Sequence, residues 1–133
     1  MNQYLLDTDI CVFLLKDKFG IKEKIKSTGI SNCFISEITI AELTYGAYKS
    51  DDFERHIKEV SKMEQLFTVM PIYDCFSTFA KEKVRLRKEG NIIPDFDLLI
   101  GSVALNNDFI LVTNNAKHFM RMNGLNLEDW VSA

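Results

Sequence analysis

Three carboxylates in this 133-residue chain stand against apolar stretches: Asp7, Glu42 and Asp97. Each alone has a plain explanation. Asp7 follows Tyr4, Leu5 and Leu6 directly, and with Thr8 and Asp9 it suits a helix cap as well as it suits catalysis. Glu42 is a good helix former, whose ordinary place is a surface. It nevertheless sits between Ala41 and Leu43, and a glutamate near a buried side needs a partner, which a metal would provide. Asp95 and Asp97 follow Pro94, in a first helical turn where the helix dipole favours carboxylates, so one of the two needs no further reason. Asp97 heads an almost wholly apolar run, residues 98–104, which reads as a buried helix with the acid at its mouth. Together the three suit a magnesium-type ion, which takes oxygen ligands from one or two carboxylates, water and phosphate. Phosphodiester cleavage needs an activated hydroxide and neutralised phosphorane charge, and one or two such ions supply both, about 3.5–4 Å apart when two are present.

The elements that must bring these acids together can be read from the pattern of apolar residues. Residues 4–6 form a short buried strand ending at Asp7. A helix follows from about Ile10, with Thr8 or Asp9 as its cap, and residues 22–27 form a short charged helix. Residues 33–35 are a second strand, and Ser36 caps a helix over 38–48 that sets Ile38, Ala41 and Tyr45 near one face. Residues 53–66 are amphipathic, with Ile57, Val60 and Met63 at helical spacing. A third strand, 67–70, is closed by Pro71; a long helix, 74–88, stops at Gly90. Pro94 opens a helix to about Leu105, as proline at the first helical position does. Residues 109–112 are a fourth strand, 115–122 a short helix or turn, and 125–130 a candidate edge strand. Alternation of this kind predicts an α/β fold with a mostly parallel sheet of four to five strands, covered by helices on both faces. Ligands bind beyond the carboxyl ends of such strands, where Asp7, Thr113, Asn114 and Asn115 fall.

Composition sets the outer limits. With 47% hydrophobic and 26% charged residues, no repeat and no Pro/Gly/Ser linker, residues 1–133 read as one domain. No apolar run approaches the length of a membrane span, and the amino terminus has neither a basic leader nor a small-residue cleavage site; a cytoplasmic protein is expected. Cys11, Cys33 and Cys75 are scattered without a CxxC pair, which argues against structural zinc and for buried reduced thiols. A net charge of -3 counts against a simple basic nucleic-acid binder but not against a metal-loaded nuclease, since bound ions reverse the local field. Positive charge is locally dense at Lys16, Lys18, Lys22, Lys24 and Lys26, and again at Lys81, Lys83, Arg85, Arg87 and Lys88. Either group suits phosphate contacts or a solvated helix face. His56 is expected to face solvent; His118 lies near the site by pattern, with a surface or packing role as the plain alternative.

Four segments, YLLDTDICVFL, ISEITIAELTYGA, IPDFDLLIGSVAL and FILVTNNAKHF, occur in that order, followed by GLNLEDW. In this order and spacing the chain resembles the PIN-domain family, closest to the VapC-type toxins of bacterial and archaeal toxin–antitoxin pairs. The resemblance implies an endoribonuclease dependent on Mg²⁺ or Mn²⁺, often dimeric, that cleaves RNA and is held inactive by a VapB-type antitoxin. It assigns the metal and the catalysis to Asp7, Glu42 and Asp97. At two positions where the family often carries an acid this chain has Asn115 and His118, which favours one ion over two; Asp9 stands where asparagine is common. Asp95 and Asp9 are auxiliary candidates, acting through water, and Thr8 and Thr113 are candidate donors that orient carboxylates. Tyr45, Tyr48, Phe53, Phe76 and Phe79 are expected mainly in the core, with some left for an antitoxin groove or a dimer interface.

Two rival readings have their own features. Asp7-Thr8-Asp9 nearly matches the DxD motif of haloacid-dehalogenase-like phosphatases, with Asp7 as nucleophile, but no later lysine partners it and Glu42 and Asp97 are left idle. The substituted fourth acid suits a non-catalytic PIN-like scaffold that binds RNA or protein without cutting.

Overall fold

β1 (Tyr4–Leu6) lies at the centre of a five-stranded sheet ordered β3-β2-β1-β4-β5, with β2 at Cys33–Ser36, β3 at Thr68–Met70, β4 at Ile110–Val112 and β5 at Asn126–Glu128. The computed structural model describes residues 2–131. Every strand pair is parallel: Leu5 pairs with Phe34 on one side and Leu111 on the other. The candidate edge strand is thus present as β5.

Alternation along the strands divides the core in two. Leu5 and Leu111 point to one face, against Leu98, Ile100, Val103, Phe119 and Met122. Leu6, Ile35 and Val112 point to the other, against Ile10, Ile21, Ile25, Met63 and Phe67. The first face is covered mainly by α5 (Phe76–Lys88) and α6 (Asp95–Asn106), the second by α1 (Thr8–Leu15), α2 (Ile21–Thr28) and α4 (Phe53–Leu66). The helix α3 (Glu37–Lys49) stands at the carboxyl edge, capped by Ser36, which accepts from the Ile38 N–H at 3.0 Å. α6 buries Leu98 and the run from Ile100 to Ala104, and α7 (Ala116–Phe119) packs beside it.

Some boundaries differ from the sequence reading, for local reasons. α1 begins at Thr8 rather than near Ile10, because Asp7, not Thr8 or Asp9, is the cap: its backbone is extended and its side chain accepts from the Thr8 N–H. The expected helix over 74–88 splits into a 3₁₀ turn, Tyr73–Cys75, and α5. Pro94 precedes α6 as its cap, extended at ψ 143°, instead of occupying the first helical position. On α3 the buried residues are Ile38, Thr39 and Ala47, while Ala41 and Tyr45 are exposed. The helix rests on its 39–43–47 ridge rather than on the face through Ile38, Ala41 and Tyr45. Tyr45, Tyr48 and Phe76 are therefore surface residues, 66%, 72% and 47% exposed, and Phe53 and Phe79 are only half-buried.

Candidate active site

Asp7 is fixed from two directions. Its N–H donates to the Val112 carbonyl at 2.9 Å, so the chain still follows β4 as it leaves β1. Its carboxylate, only 5% exposed, accepts from the Thr8 N–H at 2.8 Å and from the Thr113 hydroxyl at 2.7 Å. Thr113 in turn accepts from the Asn115 N–H at 2.9 Å, which fixes its hydroxyl. Thr8 ties in α3: its hydroxyl donates to Glu42 at 2.6 Å and, its one proton spent, accepts from Thr39 at 2.9 Å. Asp9, one residue beyond Thr8, accepts from the Asn114 N–H at 3.0 Å.

The third acid arrives from the other face of the sheet. Asp97, in the first turn of α6, lies 3.0 Å from Nδ1 of His118 on α7. Asn115 Nδ2 is 2.9 Å from the same ring nitrogen. One nitrogen cannot both donate to Asp97 and accept from Asn115, so the two contacts alternate with the tautomer and with the turn of the Asn115 amide.

Burial pushes the Asp7 carboxyl up to about 7, and the negative charges of Asp9 and Asp97 push in the same direction; the bonds from Thr113 and Thr8 oppose them. Asp9 is raised as well, by burial first and then by Asp97. Asp7, Asp9 and Asp97 thus form one electrostatic group, with Glu42 attached through Thr8. Asp95 lies outside it: Lys83 holds both its oxygens on the surface, at 2.9 and 3.1 Å. His56 is half-buried and bonded to Glu59 at 2.6 Å, instead of facing solvent freely. Thr39 went unnoticed in the sequence; its only signal was a threonine one turn before Glu42 on the same face. Asp9 was underweighted because an Asp-Thr-Asp run so readily reads as a cap.

The site's fit to a divalent cation can be tested on its own atoms. Among the described residues no three acidic, histidine or cysteine side chains close around a point as they stand. Asp7 spends its oxygens on Thr8 and Thr113, and Asp97 faces His118. A magnesium-type ion does not require a closed protein cage, since it keeps several waters. Two observations favour a cation. Asp9 Oδ1 is buried and meets no donor, unless Asp7 is protonated and shares that proton. No lysine or arginine among the described residues forms an ion pair with Asp7, Asp9, Glu42 or Asp97. The donors are nearly all hard oxygens, the set that Mg²⁺ and Mn²⁺ prefer.

An acid cluster at the carboxyl edge of a parallel sheet in this strand order defines a class: residues 4–125 match the PIN domain, and the chain belongs to the PIN-domain family. Within it, the chain is similar to the tRNA(fMet)-specific endonuclease VapC of Shigella flexneri. The two are 34% identical over 133 residues, covering 98% of this chain and 99% of that protein. Ribonuclease VapC2 of Rickettsia felis is 35% identical, over 96% of this chain and 97% of its own. Among solved structures, DNA-bound VapBC from Salmonella typhimurium superposes with a TM-score of 0.90 at 30% identity, covering 98% of this chain and 99% of that one. The family match displaces the phosphatase reading of Asp7 and Asp9.

Proposed function

We propose that this protein is a VapC-type endoribonuclease, the toxin of a pair whose VapB-type antitoxin holds it inactive in the cytoplasm, and that it cuts RNA with Mg²⁺ or Mn²⁺. The observation that carries the reading is the convergence of Asp7, Asp9, Glu42 and Asp97 at one sheet edge, with no lysine or arginine among the described residues in an ion pair with them. The relatives named as ribonucleases support it. Asp7, Glu42 and Asp97 would hold a single ion, with Asp9 beside them. When bound, such an ion would supply an activated water and neutralisation of charge at the leaving oxygen. The chain supplies the rest. Thr113 and the Thr8 N–H aim Asp7, the Thr8 hydroxyl aims Glu42, and His118 or Asn115 borders Asp97; such supporting contacts are typically worth about 10–100-fold in metal affinity or activity.

The partner has its own support. A cleft of about 720 Å³ between α1, α2 and α4 is lined by Leu14, Ile25, Met63, Leu66 and Phe67, an apolar seat for an antitoxin segment. Structures of VapBC complexes resemble this chain in fold at 30–31% identity. Exposed Tyr48 and Phe76 suit a homodimer or a larger complex with antitoxin.

The test is cleavage of RNA by the purified protein with and without Mn²⁺. Asp97→Ala is expected to cut at least about 100-fold more slowly while keeping its melting temperature within a few degrees. Full activity in that variant, free of contaminating nuclease, would sink the assignment. One observation favours the scaffold reading: Asp7 and Asp97 already have protein partners. RNA binding with no cleavage at any Mn²⁺ concentration would establish it.

A further inference from the structure

The two basic stretches of the sequence have different fates in the fold. On α5, Lys83 is paired with Asp95, and Arg85 is clamped between Glu82 at 2.7 Å and Glu89 at 2.8 Å. Lys16 and Lys18, just beyond α1, and Lys49, at the end of α3, form no ion pair with a carboxylate among the described residues. These three lysines line a cleft of about 710 Å³, whose walls also include Thr8, Glu42 and Arg55, the last paired with Asp52 at 3.7 Å. The acids of the cleft are engaged elsewhere, Glu42 with Thr8 and Glu59 with His56. The cleft therefore holds three lysines without ion pairs among the described residues and, in the same lining, Glu42 of the acid cluster.

The turn that bears two of these lysines is strained. Asp17, Phe19 and Gly20 are all left-handed, at φ 54°, 60° and 66°, and the first two are conformations that side chains seldom adopt. The turn is pinned by Phe19 against Phe13, ring centroids 4.8 Å apart, and by the Lys18 N–H on the Phe13 carbonyl at 2.9 Å. Strain of this kind gathers at functional segments. On α3, beside the cleft's Lys49, Tyr45 stands one turn beyond Glu42, 66% exposed, with Lys49 Nζ 5.7 Å from its ring centre.

We propose that this cleft is the path of the RNA strand: its phosphates lie against Lys16, Lys18 and Lys49, one unpaired base stacks on Tyr45 beside Lys49, and the phosphate to be cut arrives at Glu42. The inference rests on the ribonuclease reading and names how its substrate is held. Free cations beside an exposed aromatic ring form the usual platform for single-stranded nucleic acid, whereas paired cations such as Lys83 and Arg85 have less to offer a phosphate.

The test uses the full-length Asp97→Asn protein, so that the RNA stays whole. Binding of a fluorescein-labelled single-stranded RNA of about 12 nucleotides is followed by anisotropy over a range of KCl concentrations. Replacing Lys16, Lys18 and Lys49 together by Ala is expected to weaken binding and to flatten the slope of log affinity against log salt by about 2, near 0.7 for each lost phosphate contact. Tyr45→Ala is expected to weaken binding about tenfold without changing the slope, and Tyr45→Phe to leave it intact. Replacing Lys81, Arg87 and Lys88 on α5, which also form no ion pair among the described residues but lie outside this cleft, is expected to change neither. A slope untouched by the cleft variant, or lost with the α5 variant instead, overturns the proposal. So does a cleft that takes an acidic peptide but no RNA. If the wild-type protein cuts RNA and the cleft variant in that background cuts with an unchanged KM, this inference alone fails. If the wild-type protein cuts no RNA with any metal, the ribonuclease reading fails and takes this one with it.

Discussion

At Asp7, burial and hydrogen bonding pull against each other, and burial prevails, holding the carboxyl near 7 in the folded chain against an ordinary 3.8. Below pH 3.8 the group is protonated in both folded and unfolded chains. Between 3.8 and about 7 only the unfolded chain ionises, so folding loses stability steadily as pH rises through that window. Above the window the loss is complete. The melting temperature of the metal-free protein relative to that of Asp7→Asn should therefore fall across the window and then level off. Asn suits the site, because its oxygen can accept from the Thr8 N–H while its amide donates to Thr113. Mn²⁺ should restore the wild-type protein above the window and leave the variant unmoved. Identical pH slopes for the two proteins would show that the carboxyl carries no such load. Asp7 was legible in the sequence because an acid at a strand end is a one-residue signal. The pairing of His118 with Asp97 was not, because the two are 21 residues apart and nothing local to either shows that α7 packs beside α6.

The helix that carries Asp97 owes its position to a residue without a side chain. A Cβ at Gly101 would collide with the sulfur of Met122 and come within 3.3 Å of a Phe119 ring carbon. Gly101, Phe119 and Met122 are all buried, so the sulfur has little room to retreat. α6 and the α7 segment approach as closely as they do because this position is empty, and the same approach carries His118 to Asp97. Gly101→Val is expected to cost about 2 kcal/mol through overpacking, measured by denaturant unfolding, and to weaken RNA cleavage by moving α7. An unchanged midpoint would mean that the two helices have slack. At this scale the sequence showed the elements themselves well, since short apolar strands between amphipathic helices are strong signals. It misjudged the α3 face, because Ala41 and Tyr45 suit a buried stripe by hydropathy. The ridge that packs instead runs through Thr39, whose partner Thr8 comes from another helix.

Across the whole molecule, the three cysteines report on the integrity of the fold. All are free and buried; burial pushes the Cys33 thiol up to about 11, and raises Cys11 and Cys75 as well. Cys11 and Cys33 belong to the core on one face of the sheet and Cys75 to the core on the other. A thiol reagent should label none of them in the native protein and all three together on unfolding, since thiolate is the reactive form and none is exposed. Rapid labelling of one cysteine alone would reveal that one face opens independently. The expectation of buried reduced thiols follows from their apolar neighbours in sequence. That they lie on opposite faces follows from the strand order, which no local pattern encodes.

That strand order also sets a timetable. β1 is flanked by β2, about 30 residues later, and by β4, more than 100 residues later. During synthesis on the ribosome Asp7 and Glu42 emerge early. Thr113, which holds Asp7, and His118, which borders Asp97, follow well after Glu42. Until then the central strand lacks one neighbour, and a long loop must close before the site can assemble. A nascent chain is thus unable to assemble this acid cluster until the stretch through His118 has left the ribosome.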